Sequence, residues 1–259
     1  MEEPQMYYDI YNESSIMTKF NGAILEEKIP GFRTLNVFGR ETIGRENIIQ
    51  KIEGREGVLY IGNSLPSRVI RVEYWLKADT AQELMHKFEL LNYYLKGEQN
   101  KIVFTDDPDY YWIGTLDNMD EIEDATNWVV SKFTILCPDP YKYSNELKQL
   151  VGVDNLEFGY LNMYPILPEE IKLTMNKDGD IINFKNTTRA KNIILNSNFT
   201  IGQEILINPS EQEITLNGQN ILNTLDLTSN LEDFYLEFGD ILTSTLSCDI
   251  QITFRDRRR

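Results

Sequence analysis

Histidine occurs once in these 259 residues, at His86, and cysteine twice, at Cys137 and Cys248. One histidine cannot supply both a nucleophilic triad and a metal centre. The two cysteines are too far apart for a disulfide framework and lack the C-x-x-C spacing of a zinc or redox site. Both fall within strand patterns, where a free thiol packs as a small hydrophobe. No apolar run approaches the roughly 18 residues of a membrane helix. The start, Met1-Glu-Glu-Pro-Gln-Met6, is acidic where a secretory leader is basic, and no apolar core follows it. The expectation is a chain that inserts in no membrane and is not exported by the general route. Phosphate-binding G-x-x-x-x-G-K-[ST] and nucleophile-elbow G-x-S-x-G patterns are also missing.

Basic residues are the other shortage: 25 Lys and Arg against 41 Asp and Glu, a net charge of −16. Up to residue 145 there are 15 basic and 24 acidic residues, and beyond it 10 and 17, so both halves share the acidity. Counterion release at phosphates needs clustered Lys and Arg, which argues against nucleic-acid binding. The length suits two domains, read as 1–145 and 146–259.

In the first part, strands are expected at Met6–Ile10 and Ser15–Phe20, with a turn at Asn21-Gly22. Between Gly31 and Gly57, five glycines interrupt short apolar runs among Arg33, Arg40, Arg45 and Arg55. That pattern predicts short strands and a long excursion of backbone, of the kind that carries contacts rather than core. A strand at Arg68–Leu76 precedes an amphipathic helix over Thr80–Lys96. Asp79 is read as its N-cap, with Gln82 three positions on. Ala81, Leu84, Met85, Phe88, Leu91 and Leu95 form its apolar stripe, and Gly97 closes it. Strands follow at Lys101–Thr105, Tyr110–Leu116 and Trp128–Cys137; Pro138 and Pro140 then end pairing. Tyr141–Gln149 reads as the linker.

Short strands fill the second part: Ile171–Met175, Ile181–Phe184, Asn192–Asn196, Glu204–Ile207, Glu213–Leu216, Phe234–Phe238 and Cys248–Phe254. Lys177-Asp-Gly-Asp180 and Asn217-Gly218 are hairpin signals. The pattern favours an antiparallel sandwich.

Two acidic clusters, Asp106, Asp107 and Asp109, then Asp117, Asp120, Glu121, Glu123 and Asp124, read as solvated loop faces. A glycosidase needs one carboxyl of raised pKa in an apolar setting, and the calcium-loop pattern is missing. Tyr110, Tyr111 and Trp112 read as packing, with sugar stacking the alternative. No catalytic, cofactor-binding or metal-binding residue is assigned, and no enzyme is expected. The glycine-flanked Arg40, Arg45 and Arg55 are the candidates for contacts with a neighbouring subunit, since a guanidinium fork suits carboxylates across an interface.

Several segments in order resemble the distal tail proteins of long-tailed, siphovirus-type phages. They are Gly39-Arg40 and Gly54-Arg-Glu-Gly57, Ser67-Arg-Val-Ile-Arg-Val72, and Leu90-Leu-Asn-Tyr-Tyr-Leu95. Lys101-Ile-Val-Phe-Thr-Asp-Asp-Pro108 with Tyr111, then Phe133 and Cys137-Pro-Asp-Pro-Tyr141, continue the series. Leu216-Asn-Gly-Gln-Asn-Ile221, Phe234-Tyr-Leu-Glu-Phe-Gly239 and Ile250-Gln-Ile-Thr-Phe-Arg255 complete it. The resemblance implies a mainly β chain: a tail-tube-like β-sandwich with one helix and a β-hairpin, then a galectin-like antiparallel β-sandwich. It allows the last strand, about 245–259, to belong to either domain. It further implies a homo-hexameric ring in the virion tail tip, assembled in the host cytoplasm. That ring joins the tail tube protein to a tail-associated or tail fibre protein and holds receptor-binding proteins, and DNA only passes through its lumen. A carbohydrate-binding host-adsorption module is the alternative, and a wall-cleaving glycosidase using Asp107 or Asp109 a third reading.

Overall fold

Strand side chains alternate between faces, so Ile70, Val72, Tyr74 and Leu76 form one apolar set and Val69, Arg71, Glu73 and Trp75 the opposite one. A computed structural model describes residues 16–122 and 127–259, and in it the first set is wholly buried. The chain divides into two units, one ending at Lys142 and including Arg259, the other spanning Tyr143–Arg258.

The first unit runs β1 (Thr18–Phe20), β2 (Ala23–Ile24), α1 (Leu25–Lys28), β3 (Phe32–Phe38), β4 (Glu46–Gln50), β5 (Leu59–Ser64) and β6 (Arg68–Lys77). It continues with α2 (Ala81–Leu95), β7 (Asn100–Phe104), β8 (Tyr110–Met119) and β9 (Trp128–Cys137). Seven strands pair in the order β2-β1-β7-β8-β9-β6-β3. The β6–β9 ladder is unbroken from Arg68 opposite Cys137 to Lys77 opposite Trp128. Leu84, Leu91 and Leu95 of α2 share a core with Ile70, Val72, Tyr74 and Phe133. Asn21 and Gly22, both at positive φ, make the β1–β2 turn.

One carboxylate ties β1, the second strand of this order, to β3 at its far end. Glu26 on α1 accepts from the Thr18 backbone N–H of β1 at 3.1 Å, and from the Thr34 N–H of β3 at 3.1 Å. It also accepts from the Thr34 hydroxyl at 2.6 Å, and the Thr18 and Thr34 hydroxyls lie 2.7 Å apart. Burial raises the Glu26 pKa, and these hydrogen bonds oppose the rise.

Several expectations change here. The N-cap of α2 is Thr80, one residue later than the predicted Asp79: its hydroxyl accepts from Glu83 N–H at 3.1 Å. Glu83 in turn accepts from Asp79 N–H at 2.9 Å, so Glu83 plays the part expected of Gln82. The buried stripe is also rotated: Met85 is exposed while Lys87 is buried. Lys87 reaches that position because its ammonium donates to the Lys77 carbonyl at 2.6 Å and pairs with Glu83 at 2.7 Å. Gly97 has the positive φ expected of it. Residues 32–38, placed in the excursion by their glycine neighbours, belong to the sheet. The predicted strand at Met6–Ile10, the start of Ser15–Phe20, and Glu123 and Asp124 lie outside the described residues.

β10 (Lys142–Ser144) straddles the division, and the second unit goes on with β11 (Lys148–Val153), β12 (Asn155–Glu157), β13 (Glu170–Met175), β14 (Gly179–Asn186) and β15 (Lys191–Phe199). After these come β16 (Glu204–Asn208), β17 (Glu213–Leu216), β18 (Gln219–Asn220), β19 (Ile241–Ser244), β20 (Cys248–Phe254) and β21 (Arg257–Arg258). One ten-stranded path runs β15-β14-β19-β12-β11-β20-β13-β16-β17-β18. Inward residues from both ends of this path, such as Phe184 and Ile193 against Ile205 and Ile214, share one core. An antiparallel sheet whose remote strands share a core has folded over itself. β20 lies inside it, between β11 and β13.

Lys177–Asp180 is not a hairpin turn. β13 pairs with β16 and β20, whereas β14 pairs with β15 and β19, so this segment crosses between distant places in the sheet. Phe234–Phe238 forms no strand and contributes the single bridge of Leu236 to Ile166. The predicted linker Tyr141–Gln149 contains β10 and the start of β11, because Ser144 N–H finds the Asp256 carbonyl at 2.8 Å.

Candidate functional site: an exposed two-stranded arm

Between Phe38 and Arg68 the chain leaves the sheet, and among the described residues β4 and β5 pair only with each other. Their register runs from Glu46 opposite Ser64 to Gln50 opposite Leu59, with an irregularity between Ile48 and Ile49. The composition is that of a core strand pair: Ile48, Ile49, Ile52, Val58, Leu59, Tyr60 and Ile61. All of these are exposed, with Tyr60 at 55% and Ile61 at 59% although they point to opposite faces. Among the described residues, both faces of the ribbon are therefore bare. A two-stranded ribbon without a packed face is marginally stable alone, and its unpaired edges present free amides and carbonyls. Contiguous exposed apolar surface of this kind marks an interaction site.

The root of the arm is tied down. Gly39 has φ +86°, and a Cβ there would sit 2.1 Å from the Val69 carbonyl oxygen, so no side chain fits. Arg68, buried at the start of β6, donates from Nη1 to the carbonyls of Gly39 and, at 2.9 Å, Glu41. Its Nε donates to the Pro140 carbonyl at 2.9 Å. Arg40 grips Asp106 with both terminal nitrogens, at 2.7 and 2.8 Å, and its guanidinium lies 4.8 Å from the Phe104 ring centre. These hydrogen bonds hold the Asp106 carboxyl below the usual carboxylate range.

Two family models match in chain order. The phage tail protein RIFT-related domain matches residues 24–136, and the C-terminal domain of the siphovirus-type tail component matches residues 163–257. The distal tail protein of Bacillus phage SPP1 is 24% identical over 226 residues, covering 86% of this chain and 89% of that protein. The chain belongs to the distal tail protein family of siphovirus-type phages. As a member of that family it is a structural component of the phage tail. Its fold is that of the SPP1 distal tail protein, whose crystal structure superposes with a TM-score of 0.79 at 19% identity, over 95% of this chain and all of that one. A chain of the phage P2 baseplate shares the fold more loosely, with a TM-score of 0.50 at 11% identity, over 93% of this chain and 98% of that one.

Within this family member, the three arginines singled out from sequence occupy three parts of the arm. Arg40 is at the root, engaged with Asp106. Arg45 enters β4 and donates to the Asn63 side chain across the ribbon at 2.6 Å; Asn63 in turn donates to the Tyr60 hydroxyl. Arg55 is at the exposed tip, its backbone N–H donating to the Ile52 carbonyl at 3.2 Å. The apolar residues of the ribbon escaped the sequence reading, although the run Val58-Leu-Tyr-Ile61 was its signal. Arg68 escaped it too, because a lone arginine opening a strand looks like ordinary surface.

The acidic segment at 106–109 is less open than expected. Asp106 is held by Arg40, and Asp107 pairs with Lys142. A glycosidase acid needs an apolar setting, whereas Asp107, one of the two residues named for that role, sits against the Lys142 ammonium. Among the described residues no three His, Cys, Asp or Glu side chains gather as a metal site. Trp112 is buried against Phe104, at 5.9 Å between ring centres, so its face is closed to a sugar.

Proposed function

We propose that this protein is the hub of a phage tail tip: six copies form a ring through their first units, and the arm is the belt between neighbours. The ribbon of bare isoleucines, leucine, valine and tyrosine carries this reading, since a heterologous contact repeated around an axis covers that surface in every copy at once. Arg45 and Arg55 sit where they would meet carboxylates of the next copy, at the entry and tip of the ribbon. The ring continues the tail tube on one side and seats a tail-associated or fibre protein on the other. The second units hold receptor-binding or other adsorption proteins. The SPP1 distal tail protein is described as a paradigm of the hub adsorption apparatus in phages infecting Gram-positive bacteria, and the shared fold supports extending that role to this chain. An acidic lumen would let DNA pass without sticking.

Light-scattering mass of the purified protein, alone and mixed with its tail tube protein, tests the ring. A six-fold mass that disappears in the Ile49→Asp, Ile61→Asp variant is the expected result. Both residues are solvent-exposed in the single chain, so a variant monomer that keeps its melting temperature places the loss at the interface. A ring that survives both charges would sink the proposal.

A further inference from the structure

We infer that Arg68 is the positioning residue of the arm, a buried guanidinium joint that fixes the direction in which β4 and β5 leave the first unit. The inference rests on the reading of the arm as an intersubunit contact and adds how the contact is aimed. Arg68 stands where the arm returns to the sheet, and its backbone is locked opposite Cys137 in the β6–β9 ladder. Its side chain reaches back to where the arm departs, taking the carbonyls of Gly39 and Glu41, while Nε takes Pro140. One side chain thus ties together the outgoing root, the returning root and the segment that follows β9.

A planar guanidinium makes these bonds in fixed directions, so it sets an angle between chain segments rather than merely joining them. The Val69 carbonyl, 2.1 Å from any Cβ at position 39, leaves room there only for glycine and brings the root close enough for Arg68 to reach. Arg40 on Asp106 is an outer stay on the same root. A ribbon with no packed face is oriented through its roots, where the β3–β6 ladder ends at Phe38 opposite Arg71 and these side chains take over. Beyond that ladder its direction before assembly is fixed by Arg68, with Arg40 as the outer stay, and that pre-orientation lowers the entropy lost when a neighbour docks.

The test uses the full chain with spin labels at Glu53→Cys on the arm tip and His86→Cys on the exposed side of α2, the native cysteines being buried. Pulsed electron paramagnetic resonance should give one narrow tip-to-helix distance with Arg68 present. In Arg68→Lys, which keeps the charge but not the fork, the distribution should broaden at least twofold and ring assembly fall at least tenfold. The α2 circular dichroism should be unchanged. A distribution as narrow in Arg68→Lys as in the parent overturns the inference. Should Arg68→Lys not fold, the Arg68-containing protein still decides: a broad distribution there shows that the joint does not aim the arm, and a narrow one with slow exchange of the Arg68 Nε–H supports it. Narrow distances in a protein that forms no ring would instead remove the ring reading and leave the joint standing.

Discussion

Cys137 shows what burial does to a single group. Its thiol is enclosed and its pKa is pushed up to about 12, chiefly by desolvation, with the Arg68 charge pulling the other way. Cys248 is buried and shifted upward as well. Thiolate is the reactive form, so neither should be modified by a thiol reagent at pH 8 in the folded chain, and both should react once denaturant is added. Fast reaction of either in native buffer would contradict this burial. Glu26 gives a pH prediction. Its folded pKa is raised, so its favourable contribution is full below the unfolded value of about 4.3 and is lost as pH rises through the folded value. Glu26→Gln does not titrate; the stability of the parent relative to this variant should therefore decline with increasing pH across that window, as read by urea midpoints. A flat difference would show that the carboxylate ionises freely. No periodicity could have revealed Glu26 as a clasp, because its partners Thr18 and Thr34 are brought to it by the closing of the sheet.

At the scale of elements, α2 was legible because apolar residues three and four apart need only the helix itself to share a face. Its detail was not. Lys87 is buried because a carbonyl on β6 and Glu83 accept its ammonium, which is information from outside the periodic stripe. Thr80→Ala removes the cap on Glu83 N–H and should cost about 1 kcal/mol in chemical denaturation. Asp79→Ala, at the position predicted from sequence, should cost clearly less. The arm is the opposite case: its residues spell a buried strand pair, yet the first unit has already completed its sheet without them. Apolar composition in β4 and β5 is the surface that the proposed intersubunit contact would cover. Replacing Gly39 with alanine should displace the root, seen as faster trypsin cleavage at Lys51 and Arg55, whereas Gly54→Ala at the open tip should leave the root protected.

For the whole molecule, charge sets the conditions of assembly. In the proposed ring, six copies of a chain at −16 would repel one another, and salt screens that repulsion over roughly 10 Å at 0.1 M. The ring fraction should rise between about 0.01 M and 0.15 M salt, because the arm contributes mostly apolar surface that salt does not weaken. A falling fraction, measured by sedimentation, would mean that arginine–carboxylate pairs dominate the contact instead.

Local sequence was enough for whatever a segment decides alone. That covers the positive-φ turns at Asn21-Gly22 and Asn217-Gly218, the alternation in β9 and β20, the course of α2, and the ordered segments that mark the family. Folding in three dimensions decided the remainder: which strands neighbour each other across Lys177–Asp180, why position 39 admits only glycine, and that one apolar ribbon stays uncovered. Hydrophobic patterning states that a face must be buried, whereas the partner that buries it is chosen by contacts between residues far apart in the chain.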